Sequence, residues 1–493
     1  MALITISRLT FSYEGAVLPV FEDLNLQLDT NWKLGLVGRN GRGKTTLLGL
    51  LEGRLEGRGT ISRPEPCRCV PRPVENPGLP AARVLEELAP EGEQWRLRRE
   101  LSLLGLGEEI LERPFSTLSG GEQTRALLAA LFLEEGAYLM LDEPTNHLDG
   151  PGRQLVARYL AGLRRGFLLV SHDRDFLDDC VDHILALNRT GPELVRGDCS
   201  SWLREKQARD QGELARSQAL KGEIRRLEQA ARRTGDWSDK VEQTKYASKN
   251  AGLRPDRGYV GHKAAKLMKR AKSLENRQQQ AIEEKRGLLR DLERADALKL
   301  VTAAHHSRRL LLARDVSLAL GGRDVLRGVD FTLEQGERVC LTGRNGRGKT
   351  TLLRLLMGEE EPGRGTVQRA PGLEISYVPQ NTGFLRGDLM EWAGTQGVEV
   401  PLLLGVLRKL DFPRELFSVD MSLYSAGQKK KVLLAASLSR RAHLYVWDEP
   451  LNYIDIYARV QLEELIVREK PTLLFVEHDR AFCRAVATRT MEL

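Results

Sequence analysis

Gly38-Arg39-Asn40-Gly41-Arg42-Gly43-Lys44-Thr45 recurs, residue for residue, as Gly343-Arg344-Asn345-Gly346-Arg347-Gly348-Lys349-Thr350. Each copy follows an apolar run (Leu34 to Val37; Val339 to Thr342) and precedes a helix-like one (Thr46-Leu47-Leu48; Thr351-Leu352-Leu353). Strand, glycine loop and helix in that order make a P-loop, whose backbone N–H groups point at phosphate oxygens. Glycines 38, 41, 43, 343, 346 and 348 let the backbone approach the phosphates, with Asn40 and Asn345 between them. Lys44 and Lys349 neutralise β/γ-phosphate charge, and the hydroxyls of Thr45 and Thr350 ligate Mg²⁺, with Thr46 and Thr351 next in line. The sequence implies that nucleoside triphosphate is bound twice.

Other motifs repeat at the same spacing. Gly38 pairs with Gly343 at an offset of 305, and Ser119 with Ser425 at 306. Asp142-Glu143 pairs with Asp448-Glu449, and His172 with His478, also at 306. One spacing kept to within a residue implies two copies of a single domain, about 1–195 and 308–493. Apolar strands such as Leu139-Met140-Leu141 and Leu168-Leu169-Val170 alternate with helical runs, which predicts an α/β fold with a parallel sheet in each copy.

At 493 residues the chain suits two or three domains, each with its own core. No apolar run reaches the ~18–20 residues that cross a bilayer, so no membrane partner is expected. Met1 leads directly into Ile4-Thr5-Ile6, and no signal or transit peptide is expected. The cysteines at 67, 69, 180, 199, 340 and 483 are scattered, and Cys67-Arg68-Cys69 lacks the second ligand pair of a zinc site. They are read as reduced thiols in a cytoplasmic protein.

The segment 196–307 is of another kind. Residues 201–300 hold 25 lysines and arginines against 15 aspartates and glutamates, a net of +10. Because the whole chain carries +7, the remainder carries −3. Apolar and small residues at 220, 224, 227 and 231, then at 267, 271, 274, 281, 288 and 292, follow 3-4 spacing. That pattern predicts two long helices folded back as a coiled-coil hairpin, with a seam interrupted by Gln278 and Lys285. Between about 234 and 261, Gly235, Gly252, Pro255, Gly258 and Gly261 cluster with Trp237, Tyr246 and Tyr259, which predicts a loop at the hairpin tip. Lys245, Lys249, Arg254, Arg257, Lys263, Lys266, Lys269 and Arg270 crowd this tip and the start of the returning helix. One such lysine suits a solvated helix face. The group suits phosphate neutralisation, with an aromatic ring free to stack on a nucleotide.

Leu118-Ser119-Gly120-Gly121-Glu122 resembles the signature of ATP-binding-cassette ATPases, and Ser425-Ala426-Gly427-Gln428 is its counterpart in the second copy. The resemblance implies that each signature faces the P-loop of the other copy. Two ATP molecules are then sandwiched between the halves, one between Lys44 and Ser425, the other between Lys349 and Ser119. It further implies that Asp142 and Asp448 hold the Mg²⁺ shell together with Gln380. Glu143 and Glu449 polarise the attacking water, and His172 and His478 are switch histidines on the γ-phosphate. The sites differ. Tyr13 is placed to stack on adenine at the first P-loop, where the second copy offers Leu318 or Leu320. Val378-Pro379-Gln380 supplies the expected glutamine, whereas Val70-Pro71-Arg72 places arginine there. Hydrolysis is expected at both sites, at unequal rates.

Two cassettes joined by a basic helical linker resemble the ABC-F family. Asp142-Glu143-Pro144-Thr145-Asn146-His147-Leu148-Asp149 is that family's usual wording. Asp448-Glu449-Pro450-Leu451-Asn452-Tyr453-Ile454-Asp455 resembles the branch protecting against lincosamides, pleuromutilins and streptogramin A, as does the linker's Arg257 to Arg270 stretch. The resemblance implies a monomeric protein with intramolecular cassette pairing that enters a 70S-type ribosome when ATP-bound. Its linker would reach toward rRNA, P-site tRNA and the peptidyl transferase centre, with Tyr259 nearest the drug. A housekeeping ABC-F translation factor is the nearest rival. However, Arg72 to Ser119 and Gln380 to Ser425 are similar intervals, so no extra arm is evident, and no extension is expected beyond Leu493. A transporter ATPase subunit has no use for a basic hairpin. A DNA-associated cassette ATPase would carry longer coiled coils or a zinc module, so no DNA partner is expected.

Overall fold

The computed structural model describes residues 2–15, 19–72, 74–89, 93–146, 148–188, 191–212, 298–300, 302–320 and 322–493, with isolated positions between 215 and 229. The chain divides into two compact units, Met1–Trp202 with Ala295–Leu493, and Leu203–Arg294. The first unit holds both cassettes. The predicted hairpin, its seam and tip loop, and every tip residue from Trp237 to Arg270 lie outside the described residues.

The first cassette opens with β1 (Leu3–Phe11), β2 (Phe21–Asp29) and β3 (Lys33–Gly38), followed by α1 (Lys44–Glu52), β4 (Arg58–Ser62) and β5 (Cys67–Val70). Next come α2 (Ala81–Leu88), α3 (Gln94–Leu103), α4 (Gly120–Leu133), β6 (Tyr138–Asp142), α5 (Gly150–Gly162), β7 (Phe167–Val170), α6 (Arg174–Cys180), β8 (His183–Asn188) and β9 (Gly191–Arg196). Its main sheet has the order β5-β6-β7-β3-β8-β9, parallel except for the β8/β9 hairpin. A smaller antiparallel sheet, β2-β1-β4, lies in the same cassette. The central strands are buried on both faces, as in β7, where all four residues Phe167 to Val170 are buried. That explains their unbroken apolar wording, since helices must cover both sides of a parallel sheet.

The second cassette repeats the plan with β10 (Arg309–Leu320), β11 (Arg323–Glu334), β12 (Arg338–Thr342), α7 (Lys349–Met357), β13 (Arg364–Arg369) and β14 (Ile375–Val378). It continues with α8 (Leu389–Thr395), α9 (Val400–Lys409), α10 (Ala426–Ser439), β15 (Leu444–Asp448), α11 (Ile456–Glu469), β16 (Leu473–Val476), α12 (Arg480–Val486) and β17 (Arg489–Glu492). The sheet orders are β14-β15-β16-β12-β17, all parallel, and β11-β10-β13. The α/β architecture expected from the repeat is thus present twice.

The cassette margins carry two further findings. Beyond β9 the chain turns helical at 199, and Cys199 and Trp202 are buried. On its return, Leu298 and Leu300 enter the second cassette's core. Ala303 N–H donates to Ala442 O, and His305 N–H to Gln335 Oε1, both at 3.0 Å. Residues 298–300 and 302–307, read as linker from the sequence, therefore pack as part of the second cassette.

Candidate functional site

Both P-loops have the geometry of an anion cradle. Gly41 and Gly43 (φ 83° and 84°) and Gly346 and Gly348 (φ 78° and 81°) occupy the left-handed region that side chains disfavour. A Cβ on Gly43 would also lie 2.5 Å from Val20 Cγ1 and 2.7 Å from Phe21 Cζ. The N-termini of α1 and α7 have no side-chain cap, so their first N–H groups remain available to an anion. Lys44 Nζ folds over its own loop, donating to Gly38 O at 2.8 Å and Arg39 O at 3.2 Å. Lys349 Nζ does the same to Gly343 O and Arg344 O. Burial pushes the pKa of both lysines below the ordinary value, opposed at Lys44 by Asp455 and Glu143.

Next to each cradle stand the strand-end carboxylates. Thr45 Oγ1 donates to Asp142 Oδ2 at 3.1 Å, and Thr350 Oγ1 to Asp448 Oδ2 at 2.7 Å. A hydroxyl beside a carboxylate is an oxygen donor set that Mg²⁺ takes readily. Asp448 Oδ1, Glu143 Oε1, His172 Nδ1 and His478 Nε2 are buried without a hydrogen-bond partner among the described residues. Such orphaned atoms around a cradle fit a site shaped for a metal–nucleotide complex. Burial raises the carboxyl pKa of Asp142 and of Asp448, and Thr45 and Thr350 work against it.

Glu143 and Glu449 both adopt left-handed backbone conformations (φ 51° and 47°), an uncommon state for a non-glycine residue. Each is fixed there by its own N–H, which donates to the adjacent strand at Val170 O (2.9 Å) or Val476 O (3.0 Å). Strain held in this way turns both carboxylates off the strand ends into the site. His172 Nε2 lies 3.4 Å from Glu143 Oε1, and His478 Nε2 3.8 Å from Glu449 Oε1. Burial, reinforced by Lys44, keeps His172 neutral, and burial with Arg153 lowers His478 to about 4. Burial pushes Glu143 up to about 7.

Ser119 and Ser425 sit at the N-termini of α4 and α10 as complete capping boxes. Ser119 Oγ accepts from Glu122 N–H while Glu122 Oε2 accepts from Ser119 N–H, and Gln428 plays the glutamate's part for Ser425. Gly120 and Gly121 open the helical turn at the first signature. Gly427 has no room for a side chain, because a Cβ would lie 2.8 Å from Tyr453 O and 3.5 Å from Asn40 Nδ2. The second signature therefore lies against the first P-loop. The same loop is held from across by Asn40 N–H donating to Asp455 Oδ2 at 3.3 Å and Asn40 Nδ2 to Tyr453 O at 2.9 Å. Asp455 also pairs with buried Lys431 at 3.2 Å. Burial alone would raise its pKa, but the Lys431 ammonium, with the Ala458 N–H and Lys44, holds it well below the usual carboxylate range.

The two sites differ where the sequence says they do. Tyr13 OH is 2.9 Å from Thr46 Oγ1, with its ring edge-on to Phe11 and half exposed beside the first P-loop. In the second cassette Leu318 is buried in the core. Gln380 Nε2 donates to Glu449 Oε2 at 2.8 Å, and Asn452 Nδ2 to the same oxygen at 2.7 Å. Arg72 instead turns to Glu134 at 3.2 Å. Thr351 lies in the first turn of α7, and Asn345 is exposed on its loop. Motif reading assigned no role to Asp455, Tyr453, Lys430 or Arg39. Their partners lie in the other cassette or on a distant turn, where local spacing carries no signal.

Two P-loops, each with a strand-end acid pair and a buried histidine, define a tandem-cassette ATPase. The family described as ABC transporter matches residues 21–146 and 326–452. The chain is 29% identical over 481 residues to the ribosome protection protein VmlR of Bacillus subtilis, covering 96% of this chain and 83% of that one. It is 30% identical over 489 residues to the ATP-binding protein Uup of Caulobacter vibrioides, covering 96% and 75%. The fold resembles that of the archaeal ribosome recycling factor aABCE1, crystallised with the ribosomal stalk protein aP1, at TM-score 0.65, 20% identity, and 98% and 87% coverage. The chain belongs to the ABC family, as an ATPase of the ABC-F type. Its cassettes bind and hydrolyse ATP. Among the described residues no helix is long and apolar enough to cross a membrane.

Proposed function

We propose that this ATPase is a cytoplasmic ribosomal protection factor. In this reading ATP, with Mg²⁺ at the Thr45/Asp142 and Thr350/Asp448 pairs, closes the cassettes, and the closed form fits a 70S-type ribosome. The linker then reaches P-site tRNA and the peptidyl transferase centre and displaces a bound antibiotic. Glu143 and Glu449 accept the proton of the attacking water, and hydrolysis opens the cassettes for release. ATP drives the cycle because it binds the closed state more tightly than the open one. The observation that carries the reading is charge. The net +10 of residues 201–300, against −3 elsewhere, supports a nucleic-acid partner for the linker. The likeness to VmlR along 83% of that protein supports a ribosomal partner. A second reading is a translation factor acting on ribosomal tRNA without drug protection, and the 30% identity to the ATP-binding protein Uup, matching the 29% to VmlR, does not single out drug protection.

The test uses the Glu143→Gln/Glu449→Gln double variant. With ATP it is expected to cosediment with ribosomes, while the wild type and the ATP-free variant stay largely in the supernatant. Failure to pellet with ribosomes would refute both readings. Pelleting without any lowering of ribosomal occupancy by lincosamide, pleuromutilin or streptogramin A would favour the second. Tyr259→Ala, which loses protection in the first reading, checks the tip assignment.

A further inference from the structure

The two P-loops are identical in sequence, yet their arginines have different surroundings. Arg39 is largely buried. Its guanidinium lies 3.6 Å from Asp411 Oδ2 and 5.4 Å from the centroid of the Tyr457 ring, both in the second cassette. Tyr457 is fixed from the first cassette, its hydroxyl donating to Asn188 Oδ1 at 3.3 Å and its ring edge-on to Trp202 at 6.1 Å. Arg344 is exposed, and among the described residues it forms no ion pair.

The repeat explains the difference. At the offset of 306, Asp411 corresponds to Gly105 and Tyr457 to Pro151. The equivalence is structural as well. Gly105 follows α3 with φ 67° and donates to Ser102 O, while Asp411 follows α9 with φ 56° and donates to Arg408 O. The second cassette thus keeps a carboxylate in a left-handed conformation that glycine adopts more easily. Arg39 meets a carboxylate and a ring across the interface. By the repeat, the positions corresponding to Arg39's partners hold, for Arg344, a residue with no side chain and a proline.

We infer that Arg39, gripped by Asp411 and Tyr457 of the opposite cassette, makes the two ATP sites release nucleotide at different rates, the Lys44 site being the slower. Nucleotide leaves a sandwiched site only when the cassettes part, and at the Lys44 site parting must first break the grip on Arg39. At the Lys349 site the corresponding contacts have no chemical basis. Arg39, Asp411 and Tyr457 are positioning residues that act through the closed interface. The inference goes beyond the ribosomal reading and survives its failure, because release is measured on the isolated chain.

The full-length Glu143→Gln/Glu449→Gln protein is loaded with N-methylanthraniloyl-ATP and chased with excess ATP. Release is expected in two phases. Arg39→Ala should accelerate the slow phase about five- to tenfold, whereas Arg344→Ala should leave both phases within about twofold, a span set by cation–π and ion-pair strengths. Asp411→Gly installs the first cassette's own residue in a glycine-compatible conformation, so it folds readily, and should accelerate the slow phase about threefold. Tyr457→Ala should follow Arg39→Ala, and Tyr457→Phe, which keeps the ring but loses the Asn188 hydrogen bond, should fall between it and the parent. Single-phase release, or equal effects of Arg39→Ala and Arg344→Ala, would overturn the inference. So would an Arg39→Ala effect unaccompanied by any from Asp411→Gly or Tyr457→Ala, which would mean that Arg39 acts on the nucleotide itself.

Discussion

Glu143 illustrates how one side chain is tuned before substrate arrives. Its carboxyl is buried beside a histidine that burial keeps neutral, so no adjacent imidazolium stabilises the charged form. Burial pushes the group up to about 7 from the ordinary 4.5, with Arg459 of the opposite cassette pulling the other way. A base poised near neutrality can take a proton from water and give it up again. The folded chain holds this proton more tightly than the unfolded chain, so stability falls as pH rises from about 4.5 to about 7 and then levels off. Glu143→Gln cannot ionise. It should therefore be more stable than wild type at pH 8, by roughly 1–3 kcal/mol on the scale of such shifts, and indistinguishable from it at pH 4. Thermal melts of the nucleotide-free proteins at both pH values test this, and an equal difference at the two would remove burial of the charge as the cause.

At the scale of elements, α10 does more than present the signature. Lys430, almost wholly buried in its second turn, donates from Nζ to Pro379 O at 2.9 Å and Asp448 O at 3.0 Å. One ammonium thereby ties the helix to the glutamine segment and to the end of β15, holding Gln380 and Glu449 in register. Its place in the first cassette is taken by Thr124, which bonds back to Gly120 O in its own helix. Lys430→Met, in a Glu143→Gln background that on the proposed roles of Glu143 and Glu449 leaves hydrolysis to the second site, should lower turnover about tenfold through lost positioning. A second readout separates this from general damage. Burial lowers the Lys430 pKa to about 8, so the folded chain sheds this proton before the unfolded one and stability rises between about 8 and 10.5. The methionine variant should lack that rise. The P-loops, signatures and strand-end acids were legible in the sequence because each is local, and their spacing repeats. Lys430 was not, because Lys429-Lys430-Lys431 has the composition of a solvated face, and only the fold turns Lys430 and Lys431 inward. The predicted hairpin rests on periodicity alone, since its residues fall outside those described.

Over the two cassettes as a whole, the repeat supplies an approximate two-fold plan and the contacts between the halves depart from it. Arg174 pairs with Glu463 and Arg484 with Asp175, the latter at 2.7 Å. At the offset of 306, Glu463 corresponds to Ala157 and Asp175 to Ala481, so neither ion pair has a counterpart. The sequence showed the unequal nucleotide sites through Tyr13, Arg72 and Gln380, but this lopsided seam becomes legible only once the halves are in contact. The two pairs should also differ in strength. Arg174 and Glu463 are 11% and 21% exposed, whereas Arg484 is 68% exposed. A half-buried pair escapes much of the screening that reduces an exposed one to under about 1 kcal/mol. A double-mutant cycle of Arg174→Gln and Glu463→Gln, read as the ATP concentration giving half-maximal turnover, should yield a coupling of about 1–2 kcal/mol that changes little with salt. The Arg484→Gln and Asp175→Asn cycle should yield under about 1 kcal/mol and fade as salt is raised to ~0.5 M. Equal couplings with equal salt dependence would mean that both pairs are solvated in the closed state, and closure would then rest on the Asn40, Asp455 and Arg39 contacts at the first P-loop.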